Sequence, residues 1–435
     1  MSPPRSQPVL GTRARLTLGW RGAARPASLP EHRDRFGPLP PAGPGLLAAV
    51  ESAGLTGRGG SGFPTAVKMR AVATGRGRAV VVANGMESEP VSQKDQALLA
   101  RNPHLVLDGA VLAARAVGAD IVHVCLDRAR AQQVGAIRRA VEERWWAAVD
   151  PVPVQVHELP GHYVSSEETA LVRWLNGGEA KPMTTPPRPY ESGVRRRPTL
   201  ISNVETLAHL ALIARFGPAW FRAAGSPESP GTALVTLAGA VSHPGVYEIE
   251  SGTPVGEVLA MSGRHAADAV LIGGYFGTWH HVGDVAGLPM SQAGLRAAGA
   301  SFGAGVLFAL PAGHCGLAEA ARILGYLARQ GAQQCGPCRL GLPAIADDFA
   351  QLATGRPDGD PLDRLRRRLG VISGRGACRH PDGAVRMAAS ALTAFAADAR
   401  SHAARQPCPG AARHRPPAPA AVPPAAWPAT EAPWR

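Results

Sequence analysis

The stretch RAVVVANGMESEPVSQKD, residues 78–95, joins an unbroken apolar run to an acid-rich polar loop. A short run without polar alternation, closed by turn-forming residues, predicts a strand buried on both faces. A second such run, ADIVHVCLD (119–127), follows, and HLVLDGAVLAARAVGA (104–119) between them has helical spacing. This strand–helix–strand order predicts a parallel sheet covered by helices, an α/β fold. VPVQVHE (152–158), SEETALVRWL (166–175) and NVETLAHLALIARFG (203–217) continue the alternation. Cys125 falls inside the second strand and is read as core. Open parallel sheets bind ligands beyond the carboxyl ends of their strands. The loop after Asn84 is therefore a candidate ligand loop, with Glu87 and Glu89 as acceptors for ribose or carboxamide groups.

Outward from this sheet the chain divides into five stretches. Residues 1–44, rich in Pro, Gly and Arg, read as an irregular arm, and 45–224 as the α/β domain. Residues 230–305 have β-rich runs and a His-Pro-Gly turn at 243–245, the pattern of a small mixed β domain. Residues 312–398 carry four amphipathic helical patterns, predicting a four-helix bundle. Their apolar faces include Leu317, Leu324 and Leu327 in the first, and Ile345, Phe349 and Leu352 in the second. Residues 399–435 read as a Pro/Ala tail too poor in large apolar groups to build a core, with Cys408 inert within it.

The chain has 435 residues, 45% of them hydrophobic and six of them cysteine, which fits a globular multidomain protein rather than a disulfide scaffold. No apolar run reaches membrane-spanning length and the N-terminus lacks a secretory pattern, so a cytoplasmic location is expected, with membrane association only through a partner. The net charge of +13 is spread without an aromatic-interleaved basic stripe. That disfavours nucleic acid and suits an acidic protein partner. Of 46 basic residues only Lys68, Lys94 and Lys181 are lysine. In so Arg-rich a chain these positions suggest a need for a compact ammonium.

GLTGRGGSGFPTAVK (54–68) contains G-x-G-x-x-G at Gly57, Gly59 and Gly62, but a helical pattern rather than a strand precedes it. The dinucleotide fingerprint therefore fails its context. The glycines still allow backbone N–H groups near an anion, with Lys68 as a phosphate partner, and a flexible loop is the plain alternative. YVSSEETAL (163–171) places Glu167 and Glu168 at a helix start, where helix-capping chemistry alone also explains them. Cys335-Gly-Pro-Cys338 is compatible with a thiol redox pair, a zinc clip with Cys378 and His380, or an iron–sulfur ligand set. A helix before the motif argues against the first.

Taken together, Gly-Arg-Gly-Gly-Ser-Gly-Phe-Pro-Thr, Asn-x-x-Glu-Ser-Glu-Pro with Lys-Asp, Tyr-x-x-x-Glu-Glu-Thr-Ala-Leu and Asn-Val-Glu-Thr-Leu resemble the FMN-bearing, NADH-oxidising component of respiratory complex I and its relatives in soluble hydrogenases and formate dehydrogenases. The resemblance runs from about residue 50 to 398. It implies an FMN/NADH-binding parallel-sheet domain, a small SLBB-like β-grasp domain and a helical iron–sulfur bundle. It also implies FMN and NADH contacts from Gly57, Arg58, Gly59, Gly60, Ser61, Phe63 and Lys68. Asn84, Glu87, Ser88 and Glu89 would line the flavin and nicotinamide, Tyr163, Glu167 and Glu168 the dinucleotide, and Ser202, Asn203 and Thr206 the FMN side. Glu89 and Glu168 are the catalytic candidates.

The resemblance further implies an iron–sulfur cluster on Cys335, Cys338 and Cys378, [4Fe–4S] with three Cys ligands or [3Fe–4S]. The family's first cluster cysteine is replaced by Ala332, leaving His380, Gln333, Gln334 or solvent for the fourth position. Cys315 is excluded because the intervening helix would hold it ~20 Å away. Met86, Ser166 and Ser202 also depart from the family pattern. The expected activity is oxidation of NAD(P)H with electron transfer to a ferredoxin-like or membrane-bound redox protein. A non-catalytic scaffold that kept the fold is the alternative.

Overall fold

The computed structural model describes residues 14–20, 25–41, 43, 45–263, 266–412 and 434. Its first sheet comprises β1 (Ala79–Asn84), β2 (Ala119–Asp127), β3 (Val154–Leu159) and β4 (Thr199–Asn203), all parallel in the order β3-β2-β1-β4. Around it lie α1 (Leu29–Phe36), α2 (Gly45–Ala53), α3 (Thr65–Ala73), α4 (Lys94–Arg101), α5 (Pro103–Val117), α6 (Ala131–Trp146), α7 (Glu168–Leu175) and α8 (Val204–Arg222). The apolar run of β1 is buried on both sides, as its lack of alternation requires. Val81 and Ala83 join the core under α2, α3, α5 and α8, while Val80 and Val82 meet Leu171 and Val172 of α7. Cys125 is fully buried in that second layer.

The strand order fixes where a ligand can sit. From β1 the chain crosses outward to β2 and β3, then returns to place β4 on the other side of β1. The direction of winding thus reverses between β1 and β4, and such a reversal opens a crevice at the strands' carboxyl ends. Asn84 and Asn203, the last residues of the two strands, are register partners at that crevice.

A second sheet holds β5 (Thr232–Gly239), β6 (Gly245–Glu250), β7 (Ala269–Ile272), β8 (Thr278–His281) and β9 (Val306–Ala309) in the order β6-β5-β9-β7-β8, with α9 (Val255–Ala260), α10 (Val282–Val285) and α11 (Gln292–Arg296) in its connections. Its central strand is β9, parallel to β5 and antiparallel to β7. The expected domain end at 305 is therefore too early: the sheet closes only when 306–309 is inserted.

The helical region begins with α12 (Gly316–Gln330), α13 (Leu342–Ala353), α14 (Pro361–Ile372) and α15 (His380–Ala394), the four expected helices. Leu317, Leu324, Leu327, Ile345, Phe349 and Leu352 are buried as their spacing predicts. Two short helices continue the bundle, α16 (Ala396–Ala403) and α17 (Pro409–Ala412), so the expected tail does not begin at 399. Ala-rich sequence propagates helix well, and Ala399 and His402 are buried against the bundle. The Pro-rich remainder, 413–433, lies outside the described residues.

The N-terminal stretch likewise exceeds an irregular arm. Ser28 and Glu31 form a capping box that starts α1. Nearby, the buried Glu248 carboxylate of β6 accepts the backbone N–H groups of Arg15, Leu16 and Thr17 and the hydroxyls of Thr17 and Thr232. One carboxylate thus pins residues 15–17 to the second sheet.

Close packing of α5 on α8 holds the site-bearing strands in place. A Cβ on Gly109 would lie 1.8 Å from the Leu207 carbonyl oxygen, so the two backbones meet directly. Gly109→Ala is expected to force the helices apart and cost about 2–3 kcal/mol, typical of overpacking, as read by denaturant unfolding.

Candidate functional site

The crevice between β1 and β4 opens into a cleft of about 650 Å³. Every residue expected to touch FMN or NADH lines it: Gly57 to Ser61, Phe63 and Lys68; Asn84 and Glu87 to Glu89; Tyr163, Glu167 and Glu168; and Ser202, Asn203 and Thr206. They come from four loops that the sheet order gathers at one edge. Gly273, Phe276 and Gly303 of the second domain and Cys378, Arg379 and His380 of the bundle complete the walls.

The glycine loop connects α2 to α3, so no strand precedes it. It is closed by the Gly57 N–H donating to the Phe63 carbonyl at 2.8 Å and anchored by the Arg58 N–H donating to Thr206 Oγ1 at 2.8 Å. Gly60 and Gly62 have φ of +111° and +63°, backbone that other residues adopt only under strain. A Cβ on Gly59 would lie 3.3 Å from the Asn203 side chain. Phe63 is half exposed at the rim.

The acidic residues divide by role. Glu87 accepts the N–H groups of Asp95 and Gln96 at 3.1 and 3.0 Å and the Ser92 hydroxyl, so it caps the start of α4. Glu167 is the N-cap of α7, accepting from the Thr169 and Ala170 N–H groups. These two carboxylates are engaged by their helices, as capping chemistry alone would have them. Glu168 instead pairs with Lys68, Oε2 to Nζ 2.9 Å, across the cleft. Glu89 lies deepest: its Oε2 accepts the Tyr163 hydroxyl at 2.8 Å and the Tyr275 N–H at 2.9 Å. Its Oε1 is buried with no partner. Burial pushes its carboxyl up to about 7, against the opposing pull of the Tyr275 N–H, the Tyr163 hydroxyl and the Val91 N–H. Gly274, at φ +89°, makes room for it, since a Cβ there would sit 2.7 Å from the Glu89 carboxylate.

A buried cation sits behind this surface. Lys94 Nζ meets Asp95 Oδ1 at 2.7 Å and Glu205 Oε2 at 2.9 Å, and Asn203 Nδ2 donates to Asp95 Oδ2 at 2.6 Å. In sequence the scarcity of lysine and the motifs mark Lys94, Asp95 and Glu205, but nothing there marks the three as partners in an ion pair. The departures at 86 and 166 are accommodated. Met86 is buried in the apolar layer beneath β1, with its N–H donating to Asn84 Oδ1 at 3.1 Å. Ser166 Oγ lies 2.5 Å from Ser88 Oγ, and its carbonyl accepts Asn84 Nδ2 at 2.9 Å.

The thiols adjoin the cleft. Cys335 and Cys338 occupy the turn between α12 and α13, and Cys378 the turn into α15, at the same end of the bundle. Cys338 Sγ fills the space left by Gly331, where a Cβ would fall 2.2 Å away. Burial pushes the Cys378 thiol up to about 11, and the neighbouring Cys338 and Cys335 add to that rise, so the thiols lie close together. Among the described residues their sulfurs do not form a set within the 4.8 Å span of a single-ion site, a span met by Cys315, His402 and Cys408. Three thiolates gathered at one end of the bundle are the donor type that an iron–sulfur cluster takes. Of the non-thiol candidates, Gln333 donates to the Ala328 carbonyl, and Gln334 bonds the Pro182 carbonyl and Arg173. His380 places Nε2 2.8 Å from the Leu327 carbonyl and leaves Nδ1 buried without a partner.

Residues 50–212 match the Nuo51 FMN-binding domain, 234–270 the SLBB domain, and 318–402 the NADH-ubiquinone oxidoreductase-F iron–sulfur binding region. The F subunit of NADH-quinone oxidoreductase from Streptomyces coelicolor is 32% identical over 382 residues, covering 84% of each chain. The chain belongs to the family of NADH-quinone oxidoreductase F subunits. One of the F subunits of Rhizobium meliloti, numbered 2, is 31% identical, covering 84% of this chain and 90% of its own. An NAD+-reducing [NiFe]-hydrogenase in the H2-reduced state superposes with a TM-score of 0.75 at 30% identity over 84% of this chain, which spans 63% of that hydrogenase chain. As a member of this family the chain is an NADH dehydrogenase-type oxidoreductase of the FMN and iron–sulfur class. The cleft fits that chemistry on its own terms: an open backbone loop for phosphate oxygens, an exposed aromatic rim, and an unpartnered buried carboxylate oxygen.

Glu89 also makes a stability prediction. Its carboxyl ordinarily titrates near 4.5 and is raised to about 7 in the fold, so the folded state resists its ionisation. Stability should fall as pH rises from about 4.5 through about 7 and level off above, by about 3 kcal/mol in total. Glu89→Gln should remove that contribution and flatten the slope in urea unfolding across the same range, leaving the share of Asp95, which is raised to about 7 as well.

Proposed function

We propose that the β1/β4 cleft binds FMN and NADH, and that Cys335, Cys338 and Cys378 hold an iron–sulfur cluster feeding a separate redox protein. The observation that carries this reading is Cys378, which lines the cleft wall and belongs to the thiol set as well. FMN, when bound, supplies the chemistry that accepts a hydride from NADH and passes electrons on singly. The protein's part is to bind and orient. The Gly57–Gly62 loop offers N–H groups to phosphates, and the Lys68 ammonium, balanced by Glu168, adds positive charge beside them. Phe63 presents a ring face to a base, and Asn84 and Asn203 present amides at the strand ends. Glu89, poised near neutrality and half satisfied, is the group placed to hold or release a proton at Oε1. His380, whose buried Nδ1 has no partner, would be the donor for the position lost at Ala332.

The electron acceptor in this proposal is a ferredoxin-like or membrane-bound redox protein with an acidic docking face, drawn to the net charge of +13. The described residues include no helix long and apolar enough to cross a membrane. The proposed location is cytoplasmic, with any membrane attachment made by the partner.

The anaerobically purified protein should show flavin bands and a broad shoulder bleached by NADH. A colourless, iron-free preparation would sink the proposal. Cys378→Ser should lose most of the iron while keeping FMN, read by metal analysis and flavin fluorescence. Lys68→Ala should raise the KM for NADH by about tenfold, worth about 1.4 kcal/mol, with a smaller change in kcat.

A further inference from the structure

The described residues bring together a second donor set that the cleft does not use. Cys315 stands at the N-cap of α12, His402 in α16, and Cys408 immediately before α17. Their ligand atoms all lie within 4.8 Å of one another, with Cys315 Sγ 4.0 Å from His402 Nε2. Cys315 and His402 are buried and Cys408 is half-buried. The set lies at the opposite end of α12 from Cys335. Fifteen helical residues separate the two ends, a span of ~22 Å, so the sets cannot share one cluster. The matched iron–sulfur region, 318–402, includes neither Cys315 nor Cys408.

We propose that Cys315, His402 and Cys408 bind a single zinc ion that fastens the end of the helical region to the start of α12. Tetrahedral zinc with Zn–S of about 2.3 Å and Zn–N of about 2.0 Å spaces its ligand atoms ~3.5–3.8 Å apart, a few tenths of an ångström inside the present 4.0 Å. The imidazole is already oriented for it. His402 Nδ1 donates to the Leu352 carbonyl at 3.0 Å, the outer contact that fixes a metal-binding tautomer and leaves the Nε2 lone pair toward the cysteines. That lone pair now accepts the Cys408 N–H at 2.8 Å, and the ion takes the place of this donor. Gly410 lets 408–412 lie against 313–315, because a Cβ there would fall 2.5 Å from the Gly313 carbonyl oxygen. On binding, the two thiols release two protons to solvent, and two thiolates with a neutral imidazole cancel the ion's charge. Water enters past half-buried Cys408 to take the fourth position.

Metal analysis of the full-length holoprotein tests this, with iron and FMN measured alongside. About one zinc per chain is expected in the wild type, and less than about a tenth of one in Cys408→Ser and His402→Ala, both retaining iron and FMN. Cys335→Ser should show the reverse, losing iron and keeping zinc, which separates this site from the cluster. Should the variants misfold, differential alkylation of the native wild type decides. Zinc should shield Cys315 and Cys408 from a thiol reagent, and a chelator should expose them. Equal zinc content in wild type and folded Cys408→Ser, unshielded thiols at saturating zinc, or a Cys315–Cys408 disulfide in the purified protein would each overturn the proposal.

Discussion

The buried ammonium of Lys94 is the contact on which the site's architecture rests. It sits at the start of α4, between Asp95 and Glu205, with almost no exposure. Burial alone would raise the Glu205 carboxyl, yet Lys94 draws it down to about 2, so it remains ionised. Glu205 Oε1 then accepts the Leu234 N–H of β5 at 2.9 Å. Asp95 accepts from Asn203 at the end of β4. One cation thus ties the crevice at β4, the helix after the acidic loop and the first strand of the second domain. A charge without its partners in such a place costs several kcal/mol, so these groups hold together or fail together. A compact ammonium suits a position where a single nitrogen meets Asp95 and Glu205 at once.

The parts of the molecule that follow from local periodicity were legible in the sequence. The unbroken apolar run 78–84 announced a strand buried on both faces, and the four helical patterns placed Leu317, Ile345 and Phe349 in a bundle core. The motif residues named as cofactor candidates all line one cleft, because each motif marks the end of a strand or the start of a helix, whereas the walls supplied by Gly273, Phe276 and Gly303 carry no motif. Roles within the cleft were less legible. Glu87 and Glu167 look like ligand groups in sequence, but each faces unsatisfied N–H groups at a nearby helix start, which is a matter of turn geometry. The pinning of residues 15–17 by Glu248 and the meeting of Cys315 with Cys408 depend on chain segments more than 90 residues apart. No local pattern encodes such meetings. Cys408 in particular looked inert because its neighbours are Pro, Gly and Ala, and those small residues are what allow the close approach at Gly410.

The thiol end and the flavin end of the molecule are joined by aromatic packing. The ring of Tyr163, whose hydroxyl holds Glu89, lies 5.6 Å from the His380 ring and 4.8 Å from that of Phe276, and Phe276 lies 5.4 Å from His380. His380, a candidate for the position lost at Ala332, is thus held by rings on two sides. A ligand drawn from those rings is held by their packing as well as by any bond to metal.

The cleft walls come from three parts of the chain: the glycine loop and strand ends from the matched FMN-binding region, Gly273 and Phe276 from the second sheet just beyond the matched SLBB segment, and Cys378 and His380 from the matched iron–sulfur region. The binding site is thus a property of the seams and belongs to no single domain. Such a protein is modular in sequence but indivisible in use. A chimera that exchanges one region for a relative's inherits a mismatched seam even when every domain folds, and drift in one region must be answered by change in the other two.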